Sequence, residues 1–140
     1  MFVDSSVIIA ILSKEADAAA LADRIDVGGC MTSALVILES TMRLVSKLNL
    51  DPVLAERRVQ AFLAAAQIRL APMDGMTASL AVEALADCGQ GRGRQAQLNL
   101  ADCLSYACAK AQGVPLLYKG RDFSHTDLAF TETRAAPIDV

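Results

Sequence analysis

Tryptophan is absent from the 140 residues, histidine occurs once, and aromatic residues make up 4%. So few rings exclude a surface that reads nucleic-acid bases mainly by stacking. One histidine and four scattered cysteines, Cys30, Cys88, Cys103 and Cys108, form no CxxC pair and no His/Cys cluster. A zinc site of the usual ligand set is thereby excluded. Neither GxxxxGK(S/T) nor GxGxxG occurs, so phosphate-loop nucleotide binding has no support. The apolar runs Val7–Leu12, Ala34–Leu38 and Ala61–Ala66 fall well short of the roughly 18 residues that span a membrane. No basic segment precedes an apolar stretch at the start, so no secretory leader and no membrane association are expected. Cysteines without framework spacing fit a reducing cytoplasm. The net charge of −3 excludes a uniformly basic surface.

What is present is apolar. The hydrophobic fraction is 54% and the mean hydropathy +0.36, which a disordered chain does not show. At this length one domain, residues 1–140, is expected, burying roughly 68–70% of the surface the unfolded chain exposes.

Strand and helix signals alternate along the chain. Phe2–Val3 is a short apolar start ending at Asp4, and Ser5 or Ser6 can cap a helix to about Ser13. Glu15–Ile25 carries Ala18, Ala19, Leu21, Ala22 and Ile25 at helical spacing, broken by Gly28–Gly29. Cys30–Ser33 reads as a strand, and Ser33 caps a helix over Ala34–Leu48. Asp51-Pro52 opens a helix to about Ala66. Ile68–Ala71 reads as a strand and Thr77–Ala86 as a helix. Gly89–Arg94 is a basic, glycine-rich loop. Asn99–Ala111 is a helix closed by Gly113, Val114–Tyr118 a fourth strand, and Ala135–Ile138 a possible edge strand. This alternation predicts an α/β fold, a mostly parallel sheet of four to five strands with helices on both faces. Ligands of such sheets sit beyond the carboxyl ends of the strands.

Acids fall at those ends. Asp4 follows the first strand, Asp102 lies in the first turn of the helix before the fourth, and Asp122 lies just past the fourth. Glu39 stands about 9 Å along its helix from Ser33 at roughly 1.5 Å per residue. Helical side chains lean toward the N-terminus, so a long glutamate reaches back to the rim. Leu35, Leu38, Met42 and Val45 mark the expected apolar face, with Glu39 about 40° from Leu35. A carboxylate at such an edge needs a partner. Each acid alone also has a structural reading. Asp4 can cap a helix, Asn99 and Asp102 have capping-box spacing, Glu39 can pair with Arg43, and Asp122 suits a turn. Taken together they read as hard oxygen ligands that select Mg²⁺ or Mn²⁺. The chemistry that follows is metal-assisted phosphodiester hydrolysis. Ser124-His125-Thr126-Asp127 is read as a turn rather than a triad, and Cys103 as a buried small side chain.

The segments Met1-Phe2-Val3-Asp4-Ser5-Ser6, Ser33-Ala34-Leu35 through Leu38-Glu39, Leu98–Cys103 and Leu116–Asp127 resemble the PIN-domain ribonucleases. More narrowly, they resemble the VapC toxins of bacterial toxin–antitoxin pairs. The resemblance spans essentially the whole chain. It implies a PIN-like three-layer α/β/α sandwich, endoribonuclease activity with Mg²⁺ or Mn²⁺, a homodimer and a cognate antitoxin protein. It carries the catalytic, metal-holding acids onto Asp4, Glu39, Asp102 and Asp122, with Asp4 and Asp102 the most direct ligands. Ser5, Ser6 and Asn99 hold those carboxylates in place by the same analogy, and Asp127 is a supporting or structural acid. Arg92, Arg94, Lys119 and Arg121 are candidates for the RNA backbone. Two divalent ions would move the net charge from −3 to roughly +1 where phosphate must arrive. Arg121 and the loop Gly89–Arg94 depart from the family pattern and bear on substrate choice.

Two other readings are open at this point. A haloacid-dehalogenase-like phosphatase also has an Asp after its first strand, but it needs an acid where Ser6 stands. A non-catalytic binding module would carry the acids as a vestige.

Overall fold

Phe2 and Val3 are fully buried, and they form β1 (Phe2–Val3), the strand on which the sheet is built. A strand covered on both faces needs a continuous apolar run rather than alternation. The computed structural model describes residues 1–25, 28–88, 98–124 and 126–128. β2 (Met31–Thr32) and β4 (Leu116–Leu117) flank β1, and β3 (Arg69–Leu70) lies outside β2. All pairs are parallel, in the order β3-β2-β1-β4, with Phe2 opposite both Met31 and Leu116 and Thr32 opposite Leu70. Met31, Thr32, Leu116 and Leu117 are buried, while the edge residues Arg69 and Leu70 are exposed.

The strands are shorter than the apolar runs suggest. Their hydrogen bonding nevertheless continues past them: the Phe2 N–H donates to the Pro115 carbonyl at 2.8 Å and the Ala71 N–H to the Thr32 carbonyl at 2.7 Å. The four strands observed meet the expectation of four to five. Ala135–Ile138, the possible fifth, lies outside the described residues.

Helices follow their capping chemistry. α1 (Ser5–Leu12) is capped by Asp4, α3 (Ala34–Leu48) by Ser33 and α4 (Pro52–Ala65) by Asp51 with Pro52 in its first turn. α5 covers Gly75–Cys88. It begins before the expected Thr77, because Asp74 accepts from the Thr77 N–H at 3.1 Å and acts as the cap. α6 (Leu100–Gln112) opens on a complete Asn99/Asp102 capping box and ends at Gly113, whose φ of 63° suits a residue without Cβ. α2 is only Ala18–Asp23, not Glu15–Ile25. The left-handed Lys14, φ 55°, turns the chain after α1, and of the expected apolar positions Leu21 alone is buried in α2.

One face also differs. The buried residues of α3 are Val36, Ser40 and Leu44, whereas Leu38 and Met42 are 54% and 62% exposed. A serine in the middle of the inward stripe hides it from an apolar count. α1 packs against α2 and α3, α3 against α4, and α5 against α6, giving an α/β/α sandwich. Tyr118 and Phe123 close the core beside β4, with ring centroids 5.0 Å apart. Among the described residues no helix is long and apolar enough to cross a membrane.

Candidate functional site

The carboxyl ends of β1 and β4 open on a cavity of about 460 Å³. Its wall contains Asp4, Glu39, Asp102 and Asp122 and a fifth acid, Glu15, which sequence reasoning missed, together with Ser5, Ser6, Asn99, Arg43, Lys119 and Gly120. The four acids expected from the sequence, the outermost 118 residues apart, therefore share one space.

Each is held differently. Asp4 is buried at the junction of β1 and α1. Its Oδ2 accepts from the Ser6 hydroxyl at 2.6 Å and the Ser6 N–H at 3.1 Å. Ser6 Oγ in turn accepts from the Lys119 N–H at 3.0 Å, which ties the first strand end to the fourth. Glu39, half-buried on α3, takes the Ser5 hydroxyl on Oε1. The partner that its position demands is thus Ser5, on a neighbouring helix. Asp102 is buried, and its Oδ2 accepts from the Asn99 N–H at 3.1 Å. The capping reading of Asp4 and Asp102 and the site reading hold together: the cap fixes the carboxyl at the cavity wall. Asp122 is exposed and is delivered by the turn through Gly120, whose φ of 98° is strained for any residue with a side chain.

The acids act on one another. Burial is the largest influence on Asp102, and with the negative charges of Asp122, Asp4 and Glu39 it pushes the carboxyl up to about 7, against the lowering bond from Asn99. Glu39 is raised chiefly by burial, with Asp4 and Asp122 adding to it and Ser5 and Arg43 opposing. Among the described residues no three of these acids converge tightly enough to enclose an ion unaided. The donor set nonetheless fits a hard divalent cation: it is all oxygen, shared within one cavity, and poised between protonation and mutual repulsion.

The other expected site residues separate. Asp127 leaves the group: it accepts from Tyr106 Oη at 2.6 Å and pairs with Lys110 at 2.5 Å, in a different hollow under α5 and α6. These are contacts of an exposed ion pair, and Asp127→Asn is expected to cost less than about 1 kcal/mol in a chemical melt. Lys119 lines the cavity, but its ammonium is committed to Glu15 at 2.5 Å and Asp17 at 2.8 Å, and Lys47 completes the same network at Glu15. Arg121 is exposed and outside the cavity wall. Arg92 and Arg94, the loop Gly89–Arg94 and His125 lie outside the described residues. Arg43 enters the wall instead. Its signal was its place four residues after Glu39, read there as a surface partner.

Residues 1–128 match the family model of the PIN domain. VapC ribonuclease Mb0625 of Mycobacterium bovis and ribonuclease VapC28 of Mycobacterium tuberculosis are each 44% identical over 127 residues, covering 90% of this chain and 93% of theirs. This chain belongs to the PIN-domain VapC ribonucleases. A third family member, VapC ribonuclease R02377 of Rhizobium meliloti, is 38% identical over 139 residues, 91% of this chain and 98% of that one. The PIN fold is matched by the crystal structure of Mycobacterium tuberculosis VapC20, described as a sarcin–ricin-loop-cleaving toxin, with a TM-score of 0.68 at 20% identity over 88% of this chain and 92% of that one. Membership in this ribonuclease family decides against the phosphatase reading, as does Ser6 in place of its second acid.

Proposed function

We propose that this VapC-family chain is the toxin of a toxin–antitoxin pair, an endoribonuclease whose Asp4, Glu39, Asp102 and Asp122 hold Mg²⁺ or Mn²⁺ and hydrolyse RNA phosphodiester bonds. The observation that carries the reading is the shared cavity at the strand ends, where burial and then the charges of Asp122, Asp4 and Glu39 raise the Asp102 carboxyl. A divalent ion held by these acids would lower the pKa of water and offset negative charge developing on the phosphoryl oxygens. Asp4 and Asp102 are the firmest ligands, being buried and fixed by cap bonds. Ser5 and Ser6 orient Glu39 and Asp4, and Asn99 orients Asp102. Asp122 is the exposed acid of the four, placed where an incoming RNA strand could reach it.

The reading is tested by incubating the chain with labelled RNA in Mn²⁺ or EDTA: cleavage in Mn²⁺ that EDTA stops supports it. RNA left intact in both supports the non-catalytic module instead. Ser6→Ala removes the hydroxyl that joins Lys119 to Asp4 and is expected to slow cleavage by about 10- to 100-fold, the range for groups that orient metal ligands. An unchanged rate at saturating Mn²⁺ would leave the Ser6 hydroxyl only its link between the two strand ends.

Protein partners belong to the same proposal. A second copy of the chain and a cognate antitoxin both require exposed apolar surface. Val82, Leu85 and Leu100 line one such hollow, of about 400 Å³, between α5 and α6. Leu38 and Val53 line another, of about 330 Å³, between α3 and α4. A cytoplasmic setting agrees with the free, buried Cys30 and Cys108.

A further inference from the structure

The wall of the carboxylate cavity includes two cations, Lys119 and Arg43, and they are not equivalent. The Lys119 ammonium is already bound to Glu15 and Asp17. Among the described residues no carboxylate is ion-paired with Arg43, and the residue is exposed. It stands four residues after Glu39, on the same side of α3 and just over one turn, roughly 6 Å, farther along. Its charge reaches Glu39 without closing a salt bridge. The guanidinium is always charged and offers a planar fork that grips phosphate through two hydrogen bonds.

An anionic strand approaching four carboxylates meets repulsion, and a free cation at the margin offsets it. We propose that Arg43 contacts a non-scissile phosphate of the RNA and fixes the register in which the strand crosses the carboxylates. This rests on the ribonuclease reading. A contact of this kind positions the strand without reading its bases.

The test uses the full chain and a labelled single-stranded RNA oligonucleotide that the unaltered chain cuts. Arg43→Gln is expected to raise KM about tenfold, as loss of a backbone contact does, and to leave kcat within about threefold. The slope of log affinity against log salt, measured by fluorescence anisotropy in an Asp4→Asn background, should become shallower by about 0.7, the contribution of one phosphate on a single strand. Arg43→Lys should restore the slope and only part of the KM, since it keeps the charge and loses the fork. An unchanged KM and salt slope would overturn the assignment. So would a variant that shifts only the pH profile of kcat, the result expected if Arg43 does no more than screen Glu39. Failure of the unaltered chain to cut any RNA in Mn²⁺ is a separate outcome, which would remove the ribonuclease reading and this assignment with it.

Discussion

Asp102→Asn is expected to lower the metal-dependent rate of RNA cleavage by about a thousandfold, roughly 4 kcal/mol of transition-state stabilisation at about 1.4 kcal/mol per decade. The argument is one of charge rather than shape. The amide oxygen of asparagine can still accept from the Asn99 N–H, so the capping box that starts α6 survives. What is lost is the negative charge that a hard cation requires from its ligand. The fold should be retained, as judged by the far-ultraviolet dichroism and a cooperative melt. Asp127→Asn, in the hollow beside Tyr106 and Lys110, is the control carboxylate and should cut RNA at the unaltered rate. Equal rates for Asp102→Asn and the unaltered chain would remove Asp102 from the site.

The second large effect concerns stability without metal. The Asp102 carboxyl titrates near 4 in an unfolded chain and is pushed up to about 7 by burial and by Asp122, Asp4 and Glu39. Between those values the folded form holds a proton that the unfolded form has released. Stability therefore falls as pH rises through that window, by up to about 1.4 kcal/mol per pH unit from this group, and the loss is complete above about 7. Glu39, also raised, adds to the fall. Glu15, Asp74 and Asp127 are lowered and act in the opposite sense, mainly below about pH 4.5, where unfolded carboxylates titrate. In EDTA, the urea midpoint should drop from pH 5 to pH 7.5, and Asp102→Asn should flatten that drop and stabilise the chain at the upper end. Mn²⁺ should reverse the loss at pH 7.5, by about 2.7 kcal/mol at a hundredfold excess over its Kd, and do less at pH 5, where the proton competes. A midpoint that rises with pH over this interval in EDTA would contradict the coupling.

The sequence exposed the fold where local chemistry and tertiary need agree. Ser33, Asp51-Pro52 and the Asn99/Asp102 pair mark helix starts because a cap is satisfied within three residues. The parallel sheet followed from alternation, and the strand-end rule then brought Asp4, Asp102 and Asp122 under suspicion together. Glu39 was legible through the length and lean of its side chain.

What stayed hidden depends on contacts made far along the chain. The inward face of α3 runs through Ser40, which an apolar count passes over in favour of the exposed Leu38 and Met42. The left turn at Lys14 carries no sequence mark, so helical spacing alone extends α2 back to Glu15, three residues before its start at Ala18. Glu15 instead binds Lys119 across 104 residues, and nothing near either residue announces that pair. Asp127 follows Asp122 by five positions, yet it bonds to Tyr106 and Lys110. Closeness in sequence did not report direction in space.

The central claim is that carboxylates from four separate segments hold one hard-cation site. It is tested most directly by anomalous diffraction from crystals of the chain soaked in Mn²⁺ at pH 7.5. The account predicts a manganese peak in the cavity at the ends of β1 and β4, with oxygens of Asp4 and Asp102 at about 2.0–2.5 Å. A peak that lies elsewhere on the molecule, or none at a Mn²⁺ concentration that supports RNA cleavage, would contradict it.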